Sequence, residues 1–223
     1  MSKMFKSSQP IKNCLLLEYK TQKELALSFC RVEEFYEGPA KVNGKYLTLE
    51  DFIDAYMDKE GRIDYFHEWS GFNIPGNVFT EWFYQHASDK TKWETALAEE
   101  VAIQLNMNEP FYVIGGVKGD INVIDHEIAH ALYFMNPQYK EEMLDLNYTF
   151  HKQYRSSYVK IVNKLKEMGY GVNVVRDEVQ AYMSTSLKKE LVTRFGLDYD
   201  TILPMVKQYR KVLSRYNTYK KKS

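Results

Sequence analysis

Two of the chain's five histidines, His126 and His130, stand four residues apart in INVIDHEIAHALYF (121–134), with Glu127 directly after the first. Residues four apart share one face of an α-helix, so both imidazoles can converge on one cation while Glu127 projects beside them toward a coordinated water. Such a site needs neutral imidazoles and a further protein ligand, with one position left to solvent. The ion lowers the pKa of that water toward neutrality, and a carboxylate takes its proton as it attacks a carbonyl; the chemistry is amide hydrolysis. Around these three residues Val123, Ile124, Ile128, Leu132 and Met135 are apolar, which makes the run a buried helix whose polar groups require partners.

A third ligand is sought downstream, on another helix. Glu141 and Glu142 belong to the charged string YKEEM just after Pro137 and read as a solvated face. Glu178 differs. It sits in NVVRDEVQAYMST among Val174, Val175, Val179, Ala181 and Met183, and a carboxylate in so apolar a helix needs a reason such as a metal or an arginine.

HEIAH followed by the EVQA of DEVQAY, with Glu178 lying 48 positions after His130, resembles the zincin metallopeptidases of the gluzincin type. In these the third zinc ligand is a glutamate on a later helix, commonly in an E-x-x-A setting. The likeness spans residues 111–186 at most. It implies Zn2+ held by His126, His130 and Glu178, Glu127 as general base and proton shuttle, and a peptide or protein as substrate. The glycine and third histidine that follow the motif in metzincins are absent, since ALYFMNPQY follows His130.

An oxyanion formed in hydrolysis also needs a donor. Tyr182, one helical turn beyond Glu178, is the candidate, with Tyr170 and His151 as competitors. Asp125 and Asp177 are candidates for orienting the ligands through hydrogen bonds.

The elements that must carry these residues read as follows. Residues 1–12 are polar and expected to be flexible. LLLEY (15–19) and LALSFCRV (25–32) are apolar enough for strands or one helix. EGPAKVNGKY (37–46) is a turn or loop, and Thr48 with Asp51 caps a helix that follows. GRIDYFHEWSGFNIPGNVFTEWFYQH (61–86) reads as an aromatic loop region with short strands, able to wall a cleft, act as a lid or plug the core; His67 and His86 within it are surface or packing residues. TKWETALAEEVAIQL (91–105) is an amphipathic helix with Trp93, Leu97, Val101 and Leu105 at steps of four. FYVIGGVKG is a strand closed by a glycine turn, a candidate to pair with extended substrate. Asp120 or Asn122 caps the motif helix and Asn136-Pro137 stops it. Beyond it, helices are expected over 138–167, 174–188 and 200–216, and residues 208–223 form a basic tail that reads as solvated rather than as a nucleic-acid patch.

The strand-bearing first half and helical second half give an α+β class, taken as a single zincin-like domain over 1–223. Lys plus Arg and Asp plus Glu number 30 each, so the net charge is zero and no general preference for polyanions or membranes follows. No run of eighteen apolar residues exists and the N-terminus lacks a secretory apolar segment, so a soluble, cytoplasmic protein is expected, with Cys14 and Cys30 as reduced core thiols. Two other functions compete with a peptidase. One is a carboxylate-bridged di-iron site using Glu127 and His130, for which DYFH (64–67) is the nearest second E-x-x-H-like half. The other is a catalytically inactive zincin-like binding protein that recognises a partner through an aromatic cleft.

Overall fold

The computed structural model describes residues 4–38, 42–57, 61–85, 87–172 and 174–219. The fold is α+β, with all four strands in the N-terminal part and helices alone, among the described residues, in the C-terminal part. Contacts divide the chain into two compact units, Met1–Ile124 and Asp125–Ser223.

The first unit is built on a sheet of order β1-β2-β4-β3, from β1 (Phe5–Ile11), β2 (Cys14–Tyr19), β3 (Gly71–Pro75) and β4 (Tyr112–Val117). Central β2 and β4 run parallel, Leu15 opposite Val113, while both edge strands are antiparallel to their neighbours. The apolar run CLLLEY is buried at every position because β2 is paired on both sides and covered on both faces. Next comes α1 (Gln22–Glu37), started by Thr21, whose side chain accepts from the Glu24 amide. LLLEY is thus strand and LALSFCRV helix, a choice that periodicity left open.

The expectation of a flexible N-terminus is overturned for residues 5–11, which pair with β2; their polarity suits an edge strand with a half-exposed face. Gly115 and Gly116, read from the sequence as part of a closing turn, lie inside β4. A Cβ on Gly115 would come within 2.6 Å of the Phe29 ring, and one on Gly116 within 2.9 Å of Ile124 Cγ1, so both are glycine because helices approach the strand on each face. The turn itself is three residues after Gly116, at Gly119 with φ 89°. β4 also lies between β2 and β3, so it has no open edge on which to receive an extended substrate, contrary to the role expected for FYVIGGVKG.

Expected capping is observed at α2 (Leu49–Tyr56), where Thr48 and Asp51 form a capping box. The aromatic region 61–85 is more regular than its glycines and proline suggest. It contains α3 (Tyr65–Glu68), β3, and α4 (Gly76–Tyr84). Pro75 breaks nothing there: it closes β3 and stands immediately before the first turn of α4, where a missing N–H costs no helical bond. His67 is exposed on α3, as expected, and His86 lies outside the described residues. Then α5 (Lys92–Gln104) carries the expected amphipathic pattern, with Thr91 and Glu94 as a capping box. Glu94 has a second task the sequence did not reveal. Its carboxylate takes Nε and Nη2 of the buried Arg31 at 2.7 and 2.6 Å, and Asp89 Oδ2 takes Nη1 at 2.6 Å, so this core charge is fully paired.

α6 (Ile121–Met135) starts in the first unit, where Asp120 Oδ1 accepts from the Val123 amide, and continues into the second. Asn136 ends it and caps α7 (Pro137–Gln153) by accepting from the Tyr139 amide, with Pro137 in the first helical position. The long helix expected over 138–167 is broken at Tyr154 into α7 and α8 (Arg155–Glu167). α9 (Val175–Thr185) packs against α7, α8 and α11 (Tyr199–Tyr216), with α10 (Lys188–Thr193) between them in sequence. Burial runs almost all the way around α9, from Glu178 to Ser184, so any polar side chain there must be satisfied by protein or ligand. The helix expected over 200–216 is α11, and residues 208–216 form its second half, buried through Tyr209, Val212 and Leu213, with Arg210, Lys211 and Arg215 exposed on its outward face. No helix of the described residues is long and apolar enough to cross a membrane.

Candidate metal centre

The second unit brings His126, His130 and Glu178 together. Helical spacing sets the two imidazoles on one face of α6 with ring centroids 4.8 Å apart and Nε2 atoms at 3.2 Å. Glu178, on the first turn of α9, places Oε1 3.6 Å from His130 Nε2 and Oε2 3.9 Å from His126 Nε2. One ligand atom from each residue lies within 4.8 Å of the others. A tetrahedral ion with ligands at 2.0–2.1 Å has ligand–ligand edges of about 3.3 Å, so these separations are close to what a divalent cation demands.

The hydrogen bonds determine which nitrogens are free for it. Thr185 Oγ1 donates to the Ala181 carbonyl at 2.7 Å, so toward His126 Nδ1, 3.2 Å away, it acts as acceptor and that nitrogen carries the hydrogen. His130 Nδ1 faces the Asp177 carboxylate at 3.1 Å and must also be a donor. Both Nε2 lone pairs therefore point at one place, joined there by a carboxylate. Lone pairs and a negative charge so arranged repel unless a positive charge sits among them, and the donor set fits a cation.

Burial, the neighbouring His130 and Arg194 push His126 well below the ordinary histidine range. Burial acts the same way on His130, but Asp177 and Glu178, helped by Glu127, outweigh it and hold its pKa well above that range. His126 is the more open of the two, its side chain 19% exposed against 5% for His130.

Glu127 is buried beside the ligands and close enough to favour charge on His130. The Tyr182 ring lies edge-on to His126, centroids 4.7 Å apart, and its hydroxyl oxygen accepts from Arg194 Nη1 at 3.0 Å. Of the other residues singled out from sequence, Asp177 faces His130, whereas the Asp125 carboxylate accepts from Asn217 Nδ2 at 2.9 Å. His151 is exposed near the end of α7 with its ring on Tyr158. Tyr170 approaches the Tyr182 hydroxyl. Glu142 is bound by Arg215 and Tyr216, and no second convergent group of His, Cys, Asp or Glu side chains exists among the described residues.

Thr185, Arg194, Tyr139 and Gln180 were missed by sequence reasoning. Thr185 had a signal, since it lies two turns beyond Glu178 on the same helix face. Arg194 had none, because it arrives from a different helix. A scan against protein-family models, a search of curated proteins and a search of solved structures each returned no match for this chain.

Proposed function

We propose that the chain is a zinc-dependent peptidase with Glu127 as general base. The observation that carries this reading is the convergence of the two Nε2 atoms and the Glu178 carboxylate, with Glu127 on the same helix as both imidazoles. Two imidazoles, one carboxylate and a side open to solvent form the donor set of a hydrolytic rather than a closed structural zinc site. Bound zinc supplies Lewis acidity, lowering the pKa of water and polarising a carbonyl.

The chain's own residues divide the remaining work. His130 is held by Asp177 and His126 by Thr185, so neither imidazole needs to reorient. Glu127 accepts the proton of the attacking water and delivers it to the leaving amine. Tyr182 donates to the developing oxyanion; the guanidinium of Arg194 on its oxygen makes that hydroxyl a stronger donor. We place the protein in the cytoplasm, supported by two buried, unbridged cysteines.

Glu127→Gln tests the reading. The variant should fold, hold about one zinc per chain and lose hydrolysis of a peptide library by at least ~100-fold. Undiminished hydrolysis would refute the mechanism, and a wild-type chain that binds no zinc would refute the site.

A further inference from the structure

We infer that Gln180 is a positioning residue for this centre, acting on His130 through the carboxylate of Asp177. The inference rests on the metal-binding reading and concerns Gln180, a residue that reading does not use.

Gln180 is completely buried on α9, and each end of its amide has a partner on a different element. Nε2 donates to Asp177 Oδ1 at 2.8 Å and to the Ala129 carbonyl of α6 at 3.3 Å; Oε1 accepts from Tyr139 Oη of α7 at 2.8 Å. The opposite orientation of the amide would set Oε1 against a carbonyl and a carboxylate, so the partners admit only one. Asp177 Oδ1 is the same atom that faces His130 Nδ1. It is held between two donors, one of which is itself held from both ends.

This explains why a buried polar amide occupies a turn of α9 whose neighbouring positions are the buried Val179, Ala181 and Met183. Asp177 is part-exposed, with 23% of its side chain open, and a lone carboxylate there would be free to turn toward water. The Gln180 amide, tied to the backbone of the helix that carries His126 and His130, fixes its direction. In DEVQ one turn of α9 thereby supplies the ligand at 178, the group that orients a ligand at 177, and the group that orients that group at 180.

The test is a double-mutant cycle on zinc affinity with Gln180→Met and Asp177→Ala, measured by chelator competition. Gln180→Met keeps the volume and removes the amide; it should weaken zinc binding by roughly 10–100-fold. If Gln180 works through Asp177, the double variant loses scarcely more than Asp177→Ala alone; losses that multiply would overturn the inference and leave Gln180 as packing. A second readout is the downfield proton resonance of His130 Nδ1–H, recorded with and without zinc. It should shift or broaden in Gln180→Met, and an unchanged signal would overturn the inference. This readout exists in the metal-free chain, so a wild type that fails to bind zinc would sink the proposed function and still decide this point. Should Gln180→Met not fold, Tyr139→Phe removes only the hydroxyl on Gln180 Oε1; it must shift or broaden the same resonance relative to the wild type, and no perturbation counts against the inference.

Discussion

Replacing Glu178 by alanine removes one of the three ligands proposed for zinc and leaves both imidazoles in place. The wild-type separations of 3.2, 3.6 and 3.9 Å put the Glu178 carboxylate at the third corner of the cation site. Structural zinc sites bind with about 10–16 kcal/mol over four ligands, or about 3 kcal/mol for each. At 1.4 kcal/mol per decade, the loss corresponds to roughly 100-fold in Kd. Linkage converts this into stability: zinc at about 1,000 times the wild-type Kd stabilises the wild type by about 4 kcal/mol, whereas the same concentration is only about 10 times the variant's Kd and stabilises it by about 1.4 kcal/mol. Denaturant unfolding with and without zinc measures both. The zinc-induced difference is the relevant quantity, because losing a buried carboxylate beside His130 also changes the stability of the metal-free chain. If zinc stabilises Glu178→Ala within about 0.5 kcal/mol of the wild type, the third ligand is misassigned and the convergence described here is incidental to metal binding.

Tyr182→Phe keeps the ring against His126 and removes the hydroxyl; kcat should fall by about 10–100-fold with zinc affinity unchanged, and an unaltered kcat would remove Tyr182 from the chemistry. Burial works against the charge of Asp89, but hydrogen bonds from Arg31 and Tyr46 hold its pKa below the ordinary carboxylate range. A depressed folded-state pKa means that the unfolded chain binds more protons, so this contribution is complete above the unfolded value of about 4 and is lost as pH falls through the lower folded value. Urea midpoints should therefore decline below about pH 4 in the wild type, and more shallowly in Asp89→Asn. Gly115→Ala forces a Cβ into the Phe29 ring and Leu25 and should cost about 1–3 kcal/mol in thermal or urea unfolding without changing zinc stoichiometry; a neutral result would mean that β4 and α1 are less tightly packed than described.

How far the sequence reaches can be judged residue by residue. Helical spacing is local, so the facing of His126 and His130 follows from their positions alone, as do the caps at Thr48 and Asp120, where a side chain meets a backbone amide three residues away. Glu178 was legible for another reason, because a carboxylate in an apolar helix announces an unmet requirement. The strand Phe5–Ile11 was not legible: an edge strand may be polar on one face, and its pairing with β2 is the only thing that distinguishes it from a loose terminus. Gly115 and Gly116 carry the same lesson, since turn and close approach call for the same residue and only the neighbours, Phe29 and Ile124, tell them apart.

By itself, then, the sequence determined an α+β chain with two imidazoles on one helical turn, a carboxylate beside them and a second helix holding another acid, all consequences of short-range periodicity and composition. Tertiary structure alone decided that α9 lies where Glu178 meets both Nε2 atoms, that Thr185 and Asp177 set the tautomers, and that Arg194 reaches Tyr182. Those contacts join residues 12 to 59 positions apart, and chain separation carries no information about direction until packing assigns it.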